Sequence, residues 1–211
     1  MRAEPRSLLA AAGALLCLSA PSLQAYVADG SWPTGNIAIE LQLDGSASTP
    51  ALPAGGLTDG SASWNAAIRP GIDAWNAQMT RSQLVPTVGS SAPIADQNGR
   101  NNVFFSSTMY GDAFGARTLA VTLWSTSGYT GVRLGEADLI VNTAIHWDSY
   151  RGALRSPAID IRRVAMHELG HVLGLTHPDE NGQYVTALMN SIMSDVEEFW
   201  AALLHEVDQP I

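Results

Sequence analysis

Apolar positions recur with two different periods along this chain, and each change of period marks an element. Ile37, Ile39, Leu41 and Leu43 fall on every second residue, the pattern of a strand with one buried face. A stretch rich in Gly, Pro, Ser and Ala, from about Asp44 to Gly60, reads as a loop. Trp64, Ile68, Ile72, Trp75 and Met79 then follow at helical spacing. Pro70 is expected to start or kink that helix, because proline lacks a backbone N–H. Val103-Phe104-Phe105 predicts a short strand, and Leu119, Val121 and Leu123 alternate in another. Ala137 to Val141 is nearly all apolar, as in a strand covered on both faces. Asp160 is placed to cap a helix whose core stripe is Ile161, Ala165, Leu169 and Val172. A last helix is predicted from Ser194, with Glu197 completing a capping box. Its stripe is Val196, Phe199, Trp200, Leu203 and Val207. Helix, then strands, then helix predicts an α+β domain, and no internal repeat interrupts it.

The face of the 160–172 helix opposite that stripe carries the chemistry. The string runs His167-Glu168-Leu169-Gly170-His171-Val172-Leu173-Gly174-Leu175-Thr176-His177. On a helix, residues four apart project from one face, so His167 and His171 can reach one zinc ion. Glu168 sits beside the first ligand, where its carboxylate can touch a water without binding the metal. Gly174 suits a turn that leaves the helix with positive φ and brings His177 to the same ion from another direction. Three protein ligands leave a fourth position open, which is the pattern of a catalytic rather than a structural zinc. Taken singly, these residues have plainer roles, as core or solvated histidines and an ordinary helix-ending glycine. Those roles do not explain the five residues together. A zinc site that has lost catalysis is the remaining alternative.

The string resembles the metzincin signature of zinc peptidases, H-E-x-x-H-x-x-G-x-x-H followed by a methionine-containing turn. Ala187-Leu188-Met189-Asn190-Ser191 is similar to that turn, with Met189 as its methionine and Met193 as second candidate. Within the metzincins the chain is most similar to bacterial matrixin-like peptidases. Thr118 to Leu123 resembles the edge strand above the matrixin cleft, and Glu136 to Asn142 the next strand. The resemblance implies a metzincin-like fold with a mixed twisted sheet, an active-site helix and a C-terminal helix. It implies one catalytic Zn2+ on His167, His171 and His177, with Glu168 as general base. It further implies protein or peptide substrates paired with backbone at Leu119 and Ala120, beside a pocket walled by Ser191 to Met193.

There are departures from the family pattern. Pro178, after the third histidine, is a serralysin feature, yet no glycine-aspartate calcium repeats follow. No cysteine-switch propeptide is visible, and the histidines of a second, structural zinc have no evident counterparts. The last fifteen or so residues do not resemble the usual terminal helix, so a divergent or truncated end is expected.

Composition narrows the setting. Arg2 and Arg6 precede the short apolar run Leu8–Ala20, and Leu23-Gln24-Ala25 offers a cleavage point, so residues 1–25 read as a secretory leader. Residues 26–211 then form one catalytic domain of 186 residues, enough for a sizeable core. The only cysteine, Cys17, leaves with the leader, so no disulfide is expected. Net charge is −9; the leader contributes +1 through Arg2, Arg6 and Glu4, which leaves −10 on the mature chain. With no lysine and this acidity, neither nucleic acid nor an anionic membrane is an expected partner. A monomer is expected. Calcium is a further candidate near Asp138 and Asp148, although no calcium-loop spacing is present. The functional expectation is a secreted zinc endopeptidase. The alternatives are a secreted zinc-binding protein that captures peptides without cutting them, and a zinc hydrolase of another amide or ester.

Overall fold

The computed structural model describes residues 27–126, 134–183 and 187–192. Its centre is a five-stranded sheet of β1 (Gly35–Leu41), β2 (Ser82–Val88), β3 (Asn102–Ser106), β4 (Ala120–Thr126) and β5 (Leu134–Asn142). The spatial order is β2-β1-β3-β5-β4. All pairings are parallel except that of β4 with β5, which is antiparallel and leaves β4 on an edge. Helices α1 (Trp64–Gln78) and α2 (Ile161–Val172) pack against each other, and α2 also lies against β4 and β5. A mixed sheet with two helices is the expected α+β architecture.

The alternation read from the sequence is the alternation of burial. Ile37, Ile39, Leu41 and Leu43 are all buried, and β5 is buried along nearly its whole length. Helix α1 starts where two carboxylate or hydroxyl caps meet its free N–H groups. Ser63 Oγ accepts from Ala66 N at 3.2 Å, and the Asp44 carboxylate accepts from Trp64 and Asn65 N, both at 3.0 Å. Its apolar face drives Trp64 edge-on into Phe105, with ring centroids 5.7 Å apart. Trp75, 1% exposed, donates its Nε1–H to Met166 O at 3.0 Å and so pins α1 to the middle of α2.

The structure adds to or departs from the sequence reading at three places. Pro70 does not start α1, which begins six residues earlier; it lies inside the helix on the exposed side. There the carbonyl deprived of its N–H partner belongs to exposed Ala66 and can turn to water. Strand β2 is absent from the sequence reading because it is an edge strand: only Leu84 is buried, and Pro86 breaks the apparent pattern. The stripe assigned to α2 understates it, for every residue from Ile161 to Gly170 is buried. Arg162 and Arg163 are among them, and Arg163 Nε pairs with Asp160 Oδ2 at 3.2 Å.

A short N-terminal segment closes the fold over the end of α2. Val27 and Ala28 pair antiparallel with Thr176 and Leu175. Trp32 donates Nε1–H to Val172 O at 2.7 Å, satisfying a carbonyl at the helix end. The leader with Cys17, Met193 and the helix expected from Ser194 lie outside the described residues. Among the described residues, no helix is long and apolar enough to cross a membrane.

Candidate active site

Asp160 caps α2 as expected, accepting from Arg162 N at 3.1 Å, and the helix then carries His167, Glu168 and His171. The chain leaves the helix through Gly174, whose φ is +92°. A Cβ there would collide with Gly30 O, because Asp29 and Gly30 N approach Gly174 O at 2.9 and 3.3 Å. Glycine is thus demanded twice, by backbone sign and by close approach. Gly174→Ala is expected to cost at least about 2 kcal/mol of stability in denaturant titration, since both strains persist in the folded state. A loss within error would show that the N-terminal segment does not hold this turn.

Past the turn, His177 comes back to the two helix histidines. Their Nε2 atoms form a triangle: His171 lies 3.1 Å from His167 and 3.1 Å from His177, and His167 lies 3.2 Å from His177. Each Nδ1 faces an acceptor, Leu188 O at 2.8 Å for His167, Leu175 O at 2.7 Å for His171, and Glu180 Oε2 at 2.8 Å for His177. Carbonyl and carboxylate oxygens only accept, so the ring proton sits on each Nδ1. Three bare Nε2 lone pairs then converge with no proton between them, an arrangement that a cation stabilises. Tetrahedral zinc at about 2.0–2.1 Å asks for nitrogens roughly 3.3 Å apart, so the residues fit the ion. Burial, helped by the neighbouring His171, holds His167 far below the usual histidine range, at about 3, and burial also lowers His171. Both are kept in the neutral form that binds metal.

Glu168 faces the same space. Burial pushes its carboxyl up to about 7, against the opposing effect of a hydrogen bond from Thr122. That bond runs from Thr122 Oγ1 to Glu168 Oε2 at 2.7 Å, and the same hydroxyl lies 3.1 Å from Glu168 O. His167, Glu168, His171 and His177 share one cleft with Leu119, Ala120, Thr122, Trp124, Ser191 and Ile192. Ile192 is 80% exposed, an unusual state for a large apolar residue.

Met189 lies beneath this cleft rather than in it. It is fully buried, and a Cβ on Gly170 would strike its sulfur. Leu188, beside it, provides the carbonyl that orients His167. Asp179 accepts from Ser191 N at 2.9 Å and from Ser191 Oγ at 2.7 Å, linking the third-histidine loop to the segment after Met189.

Strand β4 borders the cleft, and its pairing with β5 fixes which backbone groups face outward. Leu119 O accepts from Asn142 N at 3.0 Å, so the Leu119 carbonyl is engaged with β5. The alternation of an antiparallel ladder then directs the backbone groups of Ala120, Thr122 and Trp124 to the open edge. Leu119 and Ala120, the two residues expected to meet a substrate, both line the cleft. The calcium expectation finds no support: Asp138 accepts from Asn102 N at 2.7 Å and from Tyr110 Oη, and Asp148 accepts from Thr58 and Ser149 N at 3.0 and 2.7 Å. Among the described residues, His167, His171 and His177 are the one convergent group of three or more potential ligands.

The sequence reading missed Thr122, Glu180 and the N-terminal segment. Glu180 had a signal, a carboxylate three residues past His177. Thr122 had none, because its meeting with Glu168 spans 46 residues and is set by the docking of α2 on β4.

No curated protein matches the chain. The family model described as Peptidase_M10, Matrixin, matches residues 73–208, well over half of the 211. That stretch takes in the end of α1, four of the five sheet strands and the whole histidine cluster, and the chain accordingly belongs to the matrixin family of zinc metallopeptidases, with the metzincin fold.

Proposed function

We propose that this protein is a secreted zinc endopeptidase whose catalytic domain spans residues 26–211, with residues 1–25 as its export leader. The observation that carries the reading is the set of three bare Nε2 atoms, 3.1–3.2 Å apart, sharing a cleft with a buried carboxylate. His167, His171 and His177 hold Zn2+, and Met189 supports them from below. Bound zinc supplies a Lewis acid that polarises the scissile carbonyl and acidifies a water.

The remaining work falls to the chain. An extended peptide adds along β4, where Ala120, Thr122 and Trp124 direct their backbone N–H and C=O groups to the open edge. Such pairing reads backbone rather than sequence, and the apolar Ile192 and Trp124 add side-chain contact. Glu168 takes the proton of the attacking water and passes it to the departing amine. Burial raises this carboxyl above the usual carboxylate range, which strengthens it as a proton acceptor. The acidity of the chain fits a protein exported into solution.

The test is digestion of unfolded casein by the purified protein before and after chelation. Zinc-loaded protein is expected to cut casein, chelated protein is expected to be inert, and re-addition of zinc should restore cutting. Folded, zinc-loaded protein that leaves casein and a panel of unfolded substrates intact would overturn the endopeptidase reading in favour of peptide capture.

A further inference from the structure

We propose that Thr122 is the positioning residue of Glu168, and that it couples the seating of a peptide on β4 to the aim of the base. The inference rests on the endopeptidase reading above. Glu168 is 7% exposed, and among the described residues its carboxylate receives one side-chain hydrogen bond, from Thr122 Oγ1 to Oε2 at 2.7 Å. Oε1 takes no such donor, yet it is not among the buried oxygens left without a partner. It therefore opens to the cleft. A carboxylate held by one oxygen presents the other in a fixed direction, and that direction decides whether a proton transfer has its required geometry.

The placement of Thr122 gives it a second contact with the reaction. Its backbone belongs to the set that faces the free edge of β4, while its side chain points at α2. A peptide pairing with β4 bonds to the residue whose hydroxyl steers Glu168. Neighbouring Ala120 and Trp124 share that edge register but carry no hydroxyl. Thr122 does not touch the reacting atoms; it acts through Glu168.

The experiment compares wild type, Thr122→Val and Thr122→Ser, all zinc-loaded and in the full chain, on a fluorogenic peptide chosen from the casein fragments. Val keeps the shape and removes the hydroxyl. Thr122→Val is expected to lower kcat by about 10-fold or more with KM changed less than about 2-fold, as for an interaction made in the transition state. Thr122→Ser is expected to recover most of that loss. Zinc content should stay at one ion per chain in all three.

A readout without turnover comes from thermal unfolding of Thr122→Val, Glu168→Ala and the double variant, with zinc absent and present. The two changes are expected to be non-additive, because each removes the same hydrogen bond. Wild-type kcat in Thr122→Val, a Ser variant as poor as Val, a change confined to KM, or additive unfolding shifts would each overturn the positioning role. Those results leave the hydrolytic reading intact if wild type cuts. Zinc-loaded wild type that cuts nothing overturns both.

Discussion

Glu168→Ala is expected to keep its zinc and to lose at least about 100-fold in casein hydrolysis, the usual worth of a positioned general base. Zinc is retained because the metal ligands are nitrogens whose outer partners, Leu188 O, Leu175 O and Glu180, do not involve Glu168. The fold should also be retained, since among the described residues the Glu168 carboxylate has one side-chain hydrogen bond, from Thr122. The measurement is zinc content by atomic emission beside the rate of casein digestion. Unchanged activity would eliminate Glu168 as the base. Loss of zinc would make it part of the metal-holding structure instead.

His171→Ala gives the second large effect, and in the opposite quantity. This variant is expected to lose zinc affinity by more than about 100-fold, beyond what removal of an outer partner costs, and activity falls with it. His171 is the one histidine at 3.1 Å from both others, so its removal leaves two nitrogens and opens one side of the site. The rest of the fold has little stake in the ring: its one further partner is Leu175 O, at 2.7 Å. Circular dichroism should therefore match wild type while metal content collapses. Full zinc occupancy in this variant would overturn the assignment of ligands. The two variants separate the roles: one keeps metal and loses chemistry, the other loses metal first.

Much of the site could be read from residue order because its parts are local. His167, Glu168 and His171 sit on one helical turn, and Gly174 and His177 follow within six residues of His171. Helical geometry and the glycine preference for positive φ convert such spacing into positions without any knowledge of the rest of the chain. The same holds for β1 and β5, where burial on one face or both leaves a plain apolar pattern. Strand β2 escaped because an edge strand buries little and tolerates Pro86. The length of buried α2 escaped because Arg162, Arg163, His167 and Glu168 are polar yet enclosed, and the partners of Arg163, His167 and Glu168, at Gly152, Leu188 and Thr122, lie outside the helix.

What sequence alone determined, then, is the α+β order of elements, the three convergent histidines, the carboxylate beside them and the turn that joins them, since each follows from contacts a few residues long. Tertiary structure decided what those groups work against. It laid β4 along α2, so that Thr122 reaches Glu168 and the free backbone edge runs past the histidines. It set Met189 under Gly170, and it threaded Gly30 against Gly174. Each of these joins residues far apart in the chain through burial that no local period records, and the energy that fixes them is the packing of the whole core.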